Sequence, residues 1–348
     1  MGKRYRIAVI GAGDMGGNHV RGWVAAGHHV ISVTDVDQPR AEQLAKRYNV
    51  PHVYADYREA LEDATVDIVS VCLPLKFHAS VTIDAAAKGK HVFCEKPLAS
   101  SFVDAQNMEE AVKRAGVQFG IGFQRNLAKG VTTIKQWAEE GKFGHPLVFS
   151  SDLMQEVRPK IAMHDKNGNK GPFVDACCHY FYMWNTVFQS KPQRLYARGG
   201  IFGKDRPEIA HFNELAVDTG VVIVEYESGD IATMSVSWGL AKNTRMKSRP
   251  DRIFGPSGGA EGAFNEFGSE VHIDLFSGDG KETIVIEKED LFERQLRLFA
   301  DVITEGRPAP IGFAEGNELL ALSFAVLESI ETGKIIELHS KTGGGGSQ

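Results

Sequence analysis

The chain has 348 residues, of which 43% are hydrophobic, and its formal net charge is -6. This acidic balance argues against a nucleic-acid or anionic-membrane partner, since either would require a concentrated basic face. No apolar run approaches the roughly 20 residues of a membrane span, and the segment Met1-Gly2-Lys3-Arg4 leads into a strand without a signal-peptide core. We therefore expect a cytoplasmic protein with a small-molecule partner, built as two domains because the chain exceeds the usual size of one core.

The first third of the chain alternates strand-like and helix-like segments with short connections. Strands are predicted at residues 5–10, 29–34, 67–72, 91–94 and 117–120. Helices are predicted at residues 16–26, 40–48, 57–62, 79–88 and 102–114. Because strands that alternate with helices form a parallel sheet covered on both faces, this pattern predicts an α/β, doubly wound, dinucleotide-binding (Rossmann) domain.

After residue 123 the pattern changes to long strands that follow one another. Strands are predicted at residues 146–153, 194–200, 216–226, 231–238 and 271–275, with a further strand at Ile253-Phe254-Gly255. Helices are predicted at residues 127–140, 175–188, 291–304 and 314–331. Turns such as Ser228-Gly229-Asp230 join consecutive strands, which predicts an α+β domain with a large, open, mostly antiparallel sheet.

These patterns divide the chain into a Rossmann domain at residues 1–123, a substrate-binding and oligomerisation domain at 124–342, and a flexible glycine-rich tail at 343–348. Helices on one face of an open sheet leave the other face in need of cover, and a copy of the same chain is the usual solution. We therefore expect a homodimer or homotetramer. The four cysteines show no paired metal-ligand spacing, so we expect reduced thiols and no bound metal.

A glycine-rich turn follows the first predicted strand and opens the first helix. Its residues are Gly11, Ala12, Gly13, Asp14, Met15 and Gly16, the pattern that brings a backbone against a dinucleotide pyrophosphate. Asp35 ends the next strand, where a carboxylate takes the ribose hydroxyls and repels a 2′-phosphate. NAD is therefore favoured over NADP, although Arg40 stands near enough to leave NADP open.

Lys96 and the pair Asp175 and His179 are the candidate catalytic residues. Lys96 follows an apolar strand, at the edge where open α/β sheets bind ligands, and a cation there can stabilise an alkoxide. Asp175 and His179 lie four residues apart in an aromatic stretch and would share one face of a helix. For an isolated pair, a core histidine bonded to its neighbouring aspartate would be the better interpretation. Lys96 and the nucleotide turn favour a catalytic one.

Together these residues resemble the glucose-fructose oxidoreductase, inositol dehydrogenase and rhizopine-catabolism (Gfo/Idh/MocA) family over nearly the whole chain. The shared marks are the glycine turn, Cys72-Leu73-Pro74 with His78, Glu95-Lys96-Pro97, and Gly171 followed by Asp175 and His179. The resemblance implies that Lys96, Asp175 and His179 are catalytic, and that Leu73, Pro74, His78, Glu95 and Lys96 line the cofactor pocket. Two positions depart from the family pattern, because Lys170 and Cys177 stand where the family has glycines.

The resulting hypothesis is NAD-dependent oxidation of a secondary hydroxyl on a sugar, glycoside or cyclitol, or the reverse reduction. His179 would be the general base, Lys96 would stabilise the oxyanion, and Asp175 would orient His179 or a neighbouring hydroxyl. Candidate substrate residues are Gln124, Arg125, Trp184 and the loop 158–170, which begins with Arg158. The alternatives are a redox-neutral glycosidase that oxidises the sugar transiently, and a non-catalytic NAD-binding sensor.

A cluster of basic residues bears on the charge of the substrate. Arg245, Lys247, Arg249 and Arg252 crowd one segment, and Lys160 follows Arg158 in the loop before the catalytic residues. Such residues are usually solvated surface, but near a pocket they could bind a carboxylate, phosphate or sulfonate. The sequence therefore raises the possibility of an anionic sugar.

Overall fold

The structure, a computed structural model, describes residues 3–157, 163–244, 246–278 and 280–338. Arg158, Lys160, Arg245 and the predicted tail 343–348 lie outside these ranges. Within them, the chain forms a parallel sheet and a larger mixed sheet, both flanked by helices. The predicted fold class is confirmed. None of the described helices is both long enough and apolar enough to cross a membrane.

The first sheet has six parallel strands in the order β3-β2-β1-β4-β5-β6. Its strands are β1 Arg6–Ile10, β2 His29–Thr34, β3 His52–Tyr54, β4 Ile68–Val71, β5 His91–Glu95 and β6 Phe119–Gly122. Its helices are α1 Asp14–Ala25, α2 Gln38–Tyr48, α3 Tyr57–Glu62, α4 His78–Ala87 and α5 Phe102–Ala115. Only β3 was not predicted, because three residues are too few to show a strand period. The order reverses between β1 and β4, which places the loops after these strands at the ligand-binding edge.

The second sheet has nine strands in the order β14-β13-β12-β11-β7-β10-β9-β8-β15. Its strands are β7 Val148–Glu156, β8 Pro192–Gly200, β9 Thr219–Tyr226, β10 Ile231–Leu240, β11 Asp251–Gly255, β12 Gly258–Gly262, β13 Val271–Ser277, β14 Gly280–Ile286 and β15 Ile336–Glu337. All neighbours pair antiparallel except β7 and β10, which are parallel. The hairpin predicted at Ser228-Gly229-Asp230 joins β9 to β10.

Helices cover one face of this sheet: α6 Lys129–Glu139, α8 Cys177–Phe188 and α10 Phe313–Thr332. Helix α9, Leu291–Glu305, lies elsewhere. Its residues Leu296, Phe299 and Ala300 share a core cluster with β1 and α1 of the first sheet, including Trp23. Helix α9 therefore follows the predicted boundary at residue 123 in sequence but packs against the domain that precedes it.

The helix predicted at residues 175–188 is interrupted. A short helix α7, Pro172–Asp175, ends where Ala176 takes φ -114°, and α8 begins at Cys177. In a continuous helix the His179 amide would donate to the Asp175 carbonyl, but it donates to the Ala176 carbonyl instead. The Asp175 carbonyl accepts from Lys96 Nζ at 2.6 Å. The prediction that Asp175 and His179 share one helical face is wrong, because the lysine takes the place of a helix hydrogen bond.

We predict that Gly16→Ala destabilises the fold by at least about 2 kcal/mol, whereas Gly17→Ala is neutral or stabilises it by about 0.5–1 kcal/mol. A Cβ at position 16 would lie 1.9 Å from the Gly11 carbonyl oxygen, while one at position 17 would only touch the Leu44 side chain at 3.9 Å. Urea unfolding of both variants measures the difference. Equal stabilities would contradict the close approach of α1 to the turn.

Candidate functional site

The turn between β1 and α1 forms an open cradle. Gly11 has φ +102°, and a Cβ there would lie 2.3 Å from the Cys72 carbonyl oxygen, so only glycine fits. Gly13, by contrast, faces open space, since a Cβ there would meet nothing within 4 Å. Asp14 and Met15 begin α1 directly after it, so the helix N-terminus points its amides at this space. The turn therefore has room and donors for a pyrophosphate.

Asp35 closes one side of this cradle and is itself held by protein donors. Its Oδ2 accepts from the Ala12 amide at 2.7 Å, and its Oδ1 accepts from the Asp37 amide at 2.9 Å and from Arg40 Nη2 at 2.7 Å. Burial would raise the pKa of this carboxyl, but Arg40 and the two amides bring it below its ordinary value. A cleft of about 920 Å³, lined by Gly13 and Arg40 among others, lies alongside. Arg40 is thus an ion-pair partner of Asp35.

The loops after β4 and β5 meet through His78. Its ring nitrogens lie 2.8 Å from the Pro97 carbonyl oxygen and 2.9 Å from the Leu73 carbonyl oxygen, and the ring is almost completely buried. Pro74 directly precedes a short 3-10 turn that leads into α4. The histidine therefore fixes the Leu73-Pro74 loop against the segment that carries Lys96.

Glu95 is the buried centre of a hydrogen-bond network. His19 Nε2 lies 2.8 Å from Glu95 Oε1, His19 Nδ1 lies 2.7 Å from Ser70 Oγ, and the Trp23 indole donates to the same oxygen at 3.1 Å. Burial would raise the pKa of Glu95, but its bond to His19 and neighbouring positive charge hold that pKa below its ordinary value. A Cβ on Gly122 would lie 2.8 Å from Glu95 Oε1, so glycine leaves room for the carboxylate. The network joins α1, under the glycine turn, to the residue before Lys96.

Lys96 and Asp175 form a buried ion pair where the two sheets meet. Lys96 Nζ donates to Asp175 Oδ1 at 3.1 Å as well as to its carbonyl. Burial would lower the pKa of the Lys96 ammonium, but the negative charge of Asp175 and other acidic neighbours raises it above its ordinary value. Lys96 is therefore a fixed cation. Asn169 Nδ2 donates to the same Asp175 Oδ1 at 3.1 Å.

His179 lies beside this pair but is not bonded to it. The bonds of the Asp175 carboxylate go to Lys96 and Asn169, and within the described ranges none goes to His179. Its Nδ1 is buried without a described partner, and its ring meets Phe123 edge-on with centroids 5.5 Å apart. Burial, with the charges of Lys96 and Arg125, lowers the pKa of His179 well below its ordinary value. His179 is thus neutral near pH 7, and an orienting bond from Asp175 is not present.

The candidate substrate residues occupy different positions. Gln124 is buried with its Oε1 unpartnered, and Arg125 pairs with Glu266 at 2.9 Å. Trp184 is fully buried and donates to Ser151 Oγ at 3.3 Å, so it lies in the core between α8 and β7 and not on a pocket wall. Arg158 falls outside the described residues. Gln124 and Arg125 belong to the short 3-10 turn that follows β6.

The described residues of the basic segment, Lys247, Arg249 and Arg252, do not contact these residues. Arg252 points to the open face of the nine-stranded sheet, where it pairs with Glu261 at 3.2 Å. Lys247 and Arg249 are exposed, and the Arg249 backbone amide donates to Asp152 Oδ2 at 2.8 Å. These described residues therefore provide no anion site next to Lys96.

Two residues of the site were not predicted. His19 could have been suspected, because a histidine on the apolar stripe of α1, four residues before Trp23, requires a buried partner. Asn169 carried no such signal, since it lies in a polar loop that resembles solvated surface. Lys170, where the related family has glycine, keeps a left-handed backbone with φ +63°.

Two family models match the chain along most of its length. Residues 5–123 match the model described as "Oxidoreductase family, NAD-binding Rossmann fold", and residues 131–261 match "GFO/IDH/MocA C-terminal domain". The chain belongs to the Gfo/Idh/MocA family of oxidoreductases. The family resemblance drawn from Glu95-Lys96-Pro97 and Asp175 with His179 is confirmed, and so is the expectation of an enzyme.

One curated relative and two solved structures match nearly the whole length of the chain. The myo-inositol 2-dehydrogenase of Thermotoga maritima is 27% identical over 347 residues, covering 97% of this chain and 100% of the relative. The aldose-aldose oxidoreductase of Caulobacter crescentus, solved with glycerol, superposes with a TM-score of 0.85 at 19% identity, covering 97% and 100% of the two chains. Levoglucosan dehydrogenase, solved with NADH and levoglucosan, gives a TM-score of 0.84 at 20% identity, covering 96% and 99%.

We predict that His19→Ala destabilises the fold by about 3 kcal/mol, because it leaves the buried Glu95 carboxylate without its main partner. His29→Ala is the matched control, since His29 is exposed at the start of β2. Urea unfolding at pH 7 compares the two. A His19→Ala variant as stable as the control would show that the Glu95 charge is not held by this pair.

Proposed function

We propose that the protein oxidises a secondary hydroxyl of a sugar, glycoside or cyclitol with NAD, or reduces the corresponding ketone. The observation that carries this proposal is the pairing of a Lys96 ammonium fixed by Asp175 with a neutral His179 whose Nδ1 has no described hydrogen-bond partner, at the ligand-binding edge of a Rossmann sheet. A cation and an available base are the two groups that alcohol oxidation requires from a protein.

The residues around the cradle fit a dinucleotide. Gly11, Gly13 and Gly16 allow close backbone approach, the α1 amides suit a pyrophosphate, and Asp35 suits the ribose hydroxyls. When bound, NAD supplies the hydride acceptor. The family model for residues 5–123, which describes an NAD-binding Rossmann fold, supports this assignment.

Each catalytic side chain has a distinct task in this mechanism. His179 accepts the hydroxyl proton, because its lowered pKa leaves it unprotonated at neutral pH. Lys96 stabilises the oxygen as negative charge develops on it, because its raised pKa keeps it charged. Asp175 holds Lys96 through Oδ1, and its Oδ2, which no described residue contacts by a hydrogen bond, is available to a neighbouring substrate hydroxyl.

The substrate we propose is an uncharged polyol. The relatives include a myo-inositol 2-dehydrogenase and, by structure, a levoglucosan dehydrogenase. The described basic residues support this choice, because Arg125 is neutralised by Glu266 and Arg252 by Glu261. The direct test is turnover with a panel of cyclitols, sugars, sugar acids and aryl glycosides, following NADH absorbance and aglycone release together. Aglycone release without net NADH would favour the redox-neutral alternative, and binding without turnover would favour a sensor.

We predict that Lys96→Ala and His179→Ala each lower kcat by a factor on the order of 10² to 10⁴ while NAD still binds. The pH profile separates their roles. Because the His179 pKa lies below its ordinary value of 6.5, kcat/KM for oxidation should stay level from pH 8 down to about pH 6.5 and fall only at lower pH.

Lys96→Ala should also move this acid limb to higher pH, since the lysine charge helps to keep His179 neutral. Either variant turning over at a near-normal rate, with its fold intact by circular dichroism, would remove that residue from the mechanism. A kcat/KM that already falls between pH 8 and pH 6.5 would count against a base with a lowered pKa.

We predict a preference for NAD over NADP that Asp35→Ser narrows by at least about tenfold. The substitution removes a carboxylate that would repel a 2′-phosphate and releases Arg40, which could then bind that phosphate. Asp37→Ser is the control, because it removes an exposed neighbouring carboxylate and keeps a cap for α2. Cofactor titrations by fluorescence give the dissociation constants, and tighter NADP binding by the unmodified protein would refute the proposal.

We further propose that the protein assembles through the open face of the nine-stranded sheet. The described part of that face carries exposed apolar side chains that alternate with buried ones: Tyr196, Val221, Ile223, Phe254 and Phe276. A face of this kind is suited to a second copy of the same chain, because a two-fold axis buries both apolar surfaces at once.

A further inference from the structure

Asn169 is the one side chain outside the proposed catalytic set that bonds to the Asp175 carboxylate, counting only described residues. Its Nδ2 donates to Asp175 Oδ1 at 3.1 Å. Lys96 Nζ donates to the same oxygen at the same distance. Two donors on one carboxylate oxygen restrict its rotation more than one donor does, so Asn169 shares control of the carboxylate with the lysine.

The other end of the Asn169 amide binds the first domain. The backbone amide of Leu75 donates to Asn169 Oδ1 at 3.2 Å. This bond fixes which end of the side chain is oxygen, because only the oxygen can accept from a backbone amide and only the nitrogen can donate to a carboxylate. The asparagine thus spans from the Leu73-Pro74-Leu75 loop, after β4, to the residue that ends α7.

We propose that Asn169 is a positioning residue, which holds the Asp175 carboxylate in the orientation that keeps Lys96 directed at the substrate and ties this pair to the loop after β4. The inference rests on the proposed function for its consequences in catalysis. The contacts themselves do not depend on which hydroxyl compound is the substrate.

The surroundings support a role in orientation. Asn169 is half-buried in a loop whose neighbour Lys170 is held at φ +63°, a left-handed conformation that is unfavourable for a non-glycine residue. The backbone amide of Lys170 donates to the Asp165 carbonyl, and that of Gly171 donates to the Met163 carbonyl. These two bonds connect the end of the loop to its beginning. A rigid loop that presents one amide to two partners is suited to fixing a carboxylate.

The test uses three variants of the full-length protein. Asn169→Ala removes both bonds. Asn169→Asp keeps the size and the acceptor for Leu75 but replaces the donor to Asp175 with a carboxylate oxygen. Asn167→Asp is the matched control, because Asn167 lies in the same loop, is exposed and bonds to Glu214 instead of the catalytic pair.

We predict that Asn169→Ala lowers kcat by about 10- to 100-fold, the effect of one lost hydrogen bond to a charged group, while the dissociation constant for NAD changes by less than about threefold. Asn169→Asp should lose at least as much activity at pH 8, because two carboxylates would face each other. This loss is expected even though aspartate resembles asparagine in shape more than alanine does. A side chain that only filled space would give the opposite order, with the aspartate variant the more active.

The pH dependence gives a second readout that packing alone would not change. Two facing carboxylates share a proton as pH falls, and the protonated one can again donate to Asp175. The ratio of Asn169→Asp activity to unmodified activity should therefore rise from pH 8 to pH 5.5. A constant ratio, or an Asn169→Ala variant within threefold of the Asn167→Asp control, would overturn the proposal.

Crystal structures of the unmodified protein and of Asn169→Ala separate this proposal from the proposed function, because they require no turnover. We expect the Asp175 carboxylate to rotate and its Oδ1 contact with Lys96 Nζ to lengthen beyond hydrogen-bond distance in the variant. An unchanged contact would refute the positioning role even if the enzyme oxidises polyols. Failure of the unmodified protein to turn over any polyol, with the contact broken in the variant, would refute the function and leave the positioning role intact.

Discussion

The contact of Lys96 with Asp175 is the interaction on which the rest of the site depends. A buried ammonium is costly to desolvate, and here it is stabilised by a carboxylate and a main-chain carbonyl of the same residue. The carbonyl is available only because α7 ends at Asp175, so the lysine and the helix break require each other. The same charge acts on His179, since a second cation nearby in a buried site would be unfavourable, and His179 is accordingly neutral. One ion pair therefore keeps Lys96 charged and helps to keep His179 neutral.

The site is assembled from connections between loops that are remote in sequence. His78 joins the loop after β4 to Pro97, Glu95 and His19 join β5 to α1, and Asn169 joins the second domain to the loop after β4. Each connection is a buried or half-buried hydrogen bond between named atoms. Side chains held in this way keep their geometry without help from a ligand, which is the preorganisation that electrostatic catalysis requires.

Local sequence patterns were sufficient to predict the Rossmann sheet, most of the second sheet and the glycine turn. The strands alternate in the periods expected, and the motif residues Gly11, Lys96 and Asp175 lie at the edge that parallel strands create. What periodicity could not provide depends on distant partners. The break before α8 is caused by a lysine 79 residues away, and β12 contains three glycines that only its neighbours β11 and β13 hold in a sheet. Trp184 was assigned to the substrate from its position alone, whereas its side chain is fully buried in the core and donates to Ser151 in β7.

The packing of α9 has a consequence for how the chain is made. Leu296 and Phe292 lie against Gly22 of α1, and the Phe299 ring packs at a tilt against Phe93 of β5 with ring centroids 5.2 Å apart. When the ribosome has completed the six parallel strands, the residues that cover this side of the sheet are still about 170 positions away. Until α9 is synthesised, the nascent first domain therefore keeps an apolar surface exposed to solvent. A fragment that ends near residue 123 would be prone to aggregate through this surface.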